Sequence, residues 1–122
     1  MNWKFTGERP VYQQIMETIR GAILTGELSP GEKAPSVREL AAQAQVNPNT
    51  VQRSLTELER EGLLVSGGTT GRTVTCDAQI LTAARASALH LLARECAEKF
   101  KVFGLGPEEA ARLLLELEKE DH

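Results

Sequence analysis

The stretch Pro35 to Gly62, PSVRELAAQAQVNPNTVQRSLTELEREG, constrains this chain more than any other, because two short helices and the turn between them can be read from it. Ser36 and Glu39 have the spacing of a capping box, in which the hydroxyl bonds a free backbone N–H and the carboxylate reaches back to the cap residue. Leu40, Ala41 and Ala44 give that first helix its apolar side. Asn47-Pro48 announces the second helix: Asn is among the best N-caps, and Pro at the first helical position gives up an N–H that has no partner there anyway. Val51, Leu55 and Leu58 recur at i, i+4 and i+7 as one buried stripe, and Gly62 stands where a left-handed cap is expected.

The opposite side of the second helix carries Asn49, Gln52, Arg53, Thr56 and Arg60. These are amides, hydroxyls and guanidinium groups, with no acid near the helix start. Arg can be bidentate to guanine, Asn or Gln to adenine, and Thr can touch a thymine methyl. A short turn between two helices, with a polar start on the second, describes a helix-turn-helix reader. The bland alternative is a solvated amphipathic helix in a small bundle.

Charge does not argue for nucleic acid by itself. The 122 residues carry 14 Lys+Arg and 17 Asp+Glu, a net charge of −3, with an ordinary 41% hydrophobic and 25% charged content. Residues 1–76 hold eight cations and eight anions, and residues 77–122 hold six and nine. The acidic excess therefore sits in the C-terminal part, and DNA binding has to come from local placement of cations.

Ahead of the helix pair, Trp3 and Phe5 alternate with polar residues and suit packing on the domain or on a partner. Pro10 opens a periodic helix with Tyr12, Ile15, Met16, Ile19 and Ile23 on one face, ending near Gly26. Leu28, Pro30 and Gly31 make a turn, with a short strand-like piece before Pro35. After Gly62, residues 63–66 are an apolar run of strand length, 67–71 a Gly/Thr turn, and 72–75 an alternating return. A hairpin in that place is a wing. Glycine in the 67–71 turn lets the tip approach a phosphate closely, and Arg72 suits the minor groove or a phosphate; taken alone, the same residues also describe a plain structural hairpin.

Residues 79–103 read as a long Ala/Leu-rich helix, and Pro107 starts a last one. Two such helices are too few to bury their own apolar faces and need cover from the winged domain or from a second chain; a dimer interface of Ile80, Leu91, Leu113, Leu114 and Leu117 is the expectation. The expected fold is therefore mainly α with a small β-hairpin wing (α+β). A winged helix-turn-helix DNA-binding domain over residues 1–76 precedes a helical dimerisation tail over 77–122.

The sequence carries no Gly-rich phosphate loop, nucleophile elbow or metal constellation, so no enzymatic activity, catalytic residue, cofactor or metal is expected. Cys76 and Cys96 lack metal-ligand spacing, and with no signal peptide the expected compartment is cytoplasmic, with both thiols free. His90 and His122 are too isolated to build a site. No tract resembles a membrane span.

Five ordered motifs, PVYQQI (10–15), LSPG (28–31), PSVREL (35–40), VNPNTV (46–51) and LEREGL (58–63), resemble the GntR family of bacterial transcription regulators. The likeness runs over about residues 10–76. The Asn-Pro-Asn-Thr turn and the short two-helix tail resemble its YtrA subfamily. The resemblance implies a winged-helix homodimer that binds double-stranded DNA at a palindromic operator and represses transcription, often of its own operon with transporter genes. Carried over by motif, the contacting Arg of the first helix falls on Arg38. The contacts at the start of the recognition helix fall on Asn47, Asn49, Thr50, Gln52 and Arg53, and the wing glycine on Gly71. Ala34 stands where a leucine is usual, Pro48 where some subfamilies carry arginine, and Arg72 where a bulky wing residue is usual. The tail is too short for the ligand pockets of larger subfamilies. Any small-molecule effector would have to bind at the dimer interface or between the domain and the tail.

The rival class is a winged-helix module for protein–protein contact without sequence-specific DNA binding. Such a surface favours apolar groups, yet the outward face of helix 48–61 has none, and Arg38, Arg53 and Arg72 favour the nucleic-acid reading.

Overall fold

Pro10 fixes the start of α1 (Val11–Leu24), whose buried face is Ile15, Met16, Ile19, Ala22 and Ile23. The computed structural model describes residues 1–121, with every side chain among them except that of Thr70; His122 and the expectation attached to it lie outside the described residues. Two helices follow, α2 (Val37–Ala44) and α3 (Pro48–Arg60). Next come β1 (Leu64–Ser66), a 3-10 turn (Gly68–Thr70) and β2 (Arg72–Val74). The chain continues with α4 (Ala78–Val102) and α5 (Pro107–Glu120).

The helix ends are set by the residues expected to set them. Ser36 Oγ accepts from Glu39 N–H at 3.1 Å and Glu39 Oε1 accepts from Ser36 N–H at 3.4 Å, closing the capping box of α2. Gln45 ends α2 in the left-handed region at φ +56°, which turns the chain sharply enough for α3 to begin within two residues. Asn47 Oδ1 accepts from Asn49 N–H at 2.8 Å and caps α3, with Pro48 as its first residue. At the far end Gly62 takes φ +85°. Its N–H donates to Glu59 O at 2.9 Å and Leu63 N–H donates to Leu58 O at 3.1 Å, a Schellman stop. A Cβ at Gly62 would lie 3.2 Å from Ile80 Cδ1, so space as well as backbone angle calls for glycine there.

β1 and β2 pair antiparallel, with Leu64 opposite Val74 and Ser66 opposite Arg72. The strand-like piece expected before Pro35 is present as a third ribbon on the other edge of β2. Lys33 bridges Thr73, and Val74 N–H donates to Glu32 O at 2.9 Å.

The chain divides into two compact units, Met1–Ala84 and a second from Arg85 on. In the first, Ile15, Ile19, Leu40, Val51, Leu55, Leu58, Leu63, Leu64 and Val74 are the fully buried apolar side chains. Trp3 and Phe5 stack with ring centroids 6.3 Å apart and pack against this core. The arm that carries them is tied to α1 by Gln14. Its Nε2 donates to Thr6 O at 2.9 Å and Arg9 O at 2.8 Å, and its Oε1 accepts from Thr6 N–H at 2.9 Å. Asp77 caps α4, with Oδ1 accepting from Gln79 N–H at 2.9 Å. The first turns of α4 belong to this core, since Ile80, Leu81 and Ala84 pack against it.

In the second unit Gly104, at φ +78°, turns the chain between α4 and α5. Leu105 N–H donates back to Phe100 O at 3.2 Å. Ala110 is buried, whereas Leu89, Leu91, Leu92, Val102, Phe103, Leu113, Leu114, Leu115 and Leu117 are exposed, Phe103 at 83%. Of the residues expected at a dimer interface, Leu91, Leu113, Leu114 and Leu117 lie on this exposed surface; Ile80 lies under Gly62 in the first unit instead. Cys76 is exposed and Cys96 half-buried, both as free thiols. No described helix is long and apolar enough to cross a membrane.

Candidate nucleic-acid interface

Helix α3 presents two unlike faces. Val51, Leu55 and Leu58 are at most 1% exposed, while Asn49, Gln52 and Arg53 stand in solvent on the other side. Thr50 is half-buried, and its carbonyl accepts from Ser54 Oγ at 3.0 Å. Asn47 belongs to the same end of the helix, but its side-chain oxygen is occupied by the cap. Arg38 is exposed in the first turn of α2, between Ser36 and Glu39 of the capping box.

Arg53 does not hang freely. Its guanidinium carbon lies 3.6 Å over the ring centroid of Tyr12, a cation–π stack between α3 and the start of α1. Fully buried Ser54 fixes the same junction, donating from Oγ to Tyr12 O at 2.9 Å.

The wing is fastened to α3 by charge. Arg72 Nε pairs with Glu59 Oε1, and the Arg72 side chain is only 19% exposed. Arg72 is therefore turned onto α3 and away from solvent at the wing tip. Gly71 takes φ +82°, and Gly67 N–H donates to Gly71 O at 2.6 Å across the tip. A Cβ at Gly71 would lie 3.6 Å from Lys33 Cε, which puts an exposed ammonium group's stem beside the tip.

The acids at the C-terminal end of α3 are each matched. Glu57 pairs with Arg60 at 2.7 Å, Glu59 with Arg72, and Glu61 with Arg20 in a two-bond fork at 3.0 and 2.6 Å. Arg38 and Lys33 have no ion pair among the described residues. The anions at the C-terminal end of the helix are thus neutralised, while Arg38 on α2 and Lys33 beside the wing tip stay unpaired among the described residues. Cations left without an ion pair are what a chain of net charge −3 has to offer a polyanion.

The sequence did not single out three of these participants. Tyr12 reads as one more apolar position of α1, Lys33 falls in the strand-like piece before Pro35, and Glu59 is one acid among several in the LEREGL motif. Each acquires its role through a partner distant in sequence, so no local spacing signals it.

The comparisons with known proteins agree with this architecture. Residues 11–74 match the model described as bacterial regulatory proteins, gntR family. Over 109 residues, 89% of this chain and 90% of the relative, the chain is 35% identical to the uncharacterized HTH-type transcriptional regulator YhcF of Bacillus subtilis. The HTH-type transcriptional repressor YtrA of the same organism is 49% identical over 55 residues, 45% of this chain and 42% of that protein. Among solved structures, a GntR family transcriptional regulator from Listeria monocytogenes matches with a TM-score of 0.84 at 29% identity, covering 92% of this chain and 98% of that one. AraR(DBD) in complex with operator ORR3 matches with a TM-score of 0.54 at 31% identity, covering 62% of this chain and 88% of that one.

Proposed function

Because the chain belongs to the GntR family of bacterial regulatory proteins, we propose that it is a sequence-specific DNA-binding transcription repressor acting as a homodimer on a palindromic operator. The observation that carries this reading is the division of α3, whose apolar stripe is sealed in the core while Asn49, Gln52 and Arg53 face outward. Inserted in a major groove, those three side chains read base edges. Arg38, Asn47, Thr50 and the wing around Gly71 hold the phosphate backbone. Arg72 sets the wing's position through Glu59, and Lys33 supplies a cation beside its tip. Residues 1–76 make the DNA-binding part and residues 77–122 the dimerisation tail, with the start of α4 completing the core of the first. The exposed leucines of α4 and α5 are the dimer surface. An effector, where there is one, binds at that surface.

Sequencing DNA fragments selected by the purified protein tests the whole reading. The expected product is two inverted half-sites, their centres one helical turn or a multiple apart, about 34–36 Å per turn. Selection of no sequence at all would refute it.

Two substitutions test the division of labour. Arg38→Ala leaves the thermal midpoint unchanged, since an exposed cation contributes little to folding. It weakens operator binding by about 1.5–3 kcal/mol, because a charge-assisted contact is lost. Wild-type affinity in a gel-shift titration would remove Arg38 from the interface. Arg53→Ala costs about 1–3 kcal/mol and relaxes preference at one base pair per half-site. Arg72→Ala, by contrast, releases the wing and weakens all sequences alike. Binding titrations against a panel of single-base operator variants separate the two, and an altered base choice in Arg72→Ala would make the wing the reader.

A further inference from the structure

We infer that Tyr12 is a positioning residue for base recognition, holding the Arg53 guanidinium stacked and aimed at a guanine edge before DNA arrives. The inference rests on the DNA-reading role proposed above. Two independent observations carry it. The first is the 3.6 Å stack of the Arg53 guanidinium on the Tyr12 ring. The second is the anchoring of Tyr12 itself, whose carbonyl accepts from the hydroxyl of fully buried Ser54 at 2.9 Å. Ser54 directly follows Arg53 on α3. Platform and reader are therefore fastened to the same turn of helix.

The physical reason such a platform matters is entropy. An arginine is a long side chain with several rotatable bonds, and freezing them on binding opposes association. Guanidinium is flat, weakly hydrated and well suited to an aromatic face. A stack on a ring leaves the in-plane N–H groups free, so they remain available for the O6 and N7 acceptors of guanine. The half-buried ring thus restricts Arg53 in the free protein without consuming its hydrogen bonds. The Tyr12 hydroxyl plays no part in the stack, since its neighbour is the Gln13 amide at 3.3 Å.

The chain's sole tyrosine makes the test clean. The operator selected by the wild-type protein is compared, one base pair at a time, with binding by Tyr12→Phe, Tyr12→Leu, Arg53→Ala and the Tyr12→Leu/Arg53→Ala pair. Tyr12→Phe keeps wild-type discrimination. Tyr12→Leu loses discrimination by about two- to fivefold, at the same G·C pair that Arg53→Ala affects and at no other. It adds nothing in the Arg53→Ala background. A general role in folding would instead weaken every sequence equally. In NMR spectra of the full-length wild-type protein, the Arg53 side-chain protons are shifted upfield by the ring, a reading that survives should Tyr12→Leu fail to fold. Wild-type selectivity left intact in Tyr12→Leu, loss spread over all positions, or unshifted Arg53 protons would each overturn the inference while leaving the DNA-reading role standing. A wild-type protein that selects no sequence would overturn both.

Discussion

A chain truncated after Ala84 is expected to be a folded monomer that has lost about two to four orders of magnitude in affinity for the full operator. The first compact unit ends there, so its core, including Ile80, Leu81 and Ala84, is retained. The removed part carries Leu89, Leu91, Leu92, Leu113, Leu114, Leu115 and Leu117, each between 43% and 61% exposed in the single chain. Burying a large aliphatic side chain is worth about 1.5–3 kcal/mol. A two-fold pairing of these surfaces has ample driving force, and it links two readers so that the second half-site is engaged intramolecularly. Light scattering gives the mass of the truncated chain, and titrations on the full palindrome and on a half-site give the two affinities. The half-site affinity should match that of the full-length protein. A truncated chain that stays dimeric and binds the palindrome undiminished would take the dimerisation role away from the tail. Cutting after Asp77 is a poorer experiment, since it removes the residues that pack beneath Gly62.

Leu58→Ala is the substitution expected to cost most in stability, about 2–5 kcal/mol. Its side chain is 0% exposed, in the cluster that joins α1, α3 and the strands. A protein of this size has only about 5–15 kcal/mol in all. The urea midpoint should fall steeply, with DNA binding lost in proportion to the unfolded fraction. Arg53→Ala, on the other face of α3, should lower the same midpoint far less, since it forfeits only the stack on Tyr12, about 0.5–1 kcal/mol. Folding and reading therefore separate across one helix, and equal midpoints for wild type and Leu58→Ala would contradict the burial that separates them.

Local chemistry made much of this molecule legible. Ser36/Glu39, Asn47-Pro48 and Gly62 mark helix ends through bonds made within a few residues of one another, so their spacing in the chain is their spacing in space. The stripe Val51, Leu55, Leu58 follows from the helical period alone, and the face left over is the candidate site. Contacts across long stretches of chain were not legible. Nothing near Arg72 announces that Glu59 draws it onto α3, and nothing near Arg53 announces Tyr12 beneath it. Apolar periodicity in α4 tells that Ile80 and Leu91 need cover, but not that different surfaces meet that need. Ile80 packs in the core of the first unit, and Leu91 stands exposed. The charge count misleads for the same reason: net charge ignores which acids are already paired.

The Schellman stop after α3 has a consequence for how this scaffold tolerates changes in length. Leu63 bonds back to Leu58 through its N–H and accepts from Thr75 N–H at 3.0 Å through its carbonyl, so one residue both closes the helix and starts the sheet. No slack exists at that joint. A single inserted residue there would exchange the places of Leu64, 2% exposed, and Val65, 49% exposed, and turn the strand inside out. At the tip between Ser66 and Arg72 no described side chain belongs to the core, and doubling a loop's length costs only about 0.6 kcal/mol. Wings of different reach can therefore be grafted at the tip while the angle between reading helix and wing stays fixed at Leu63.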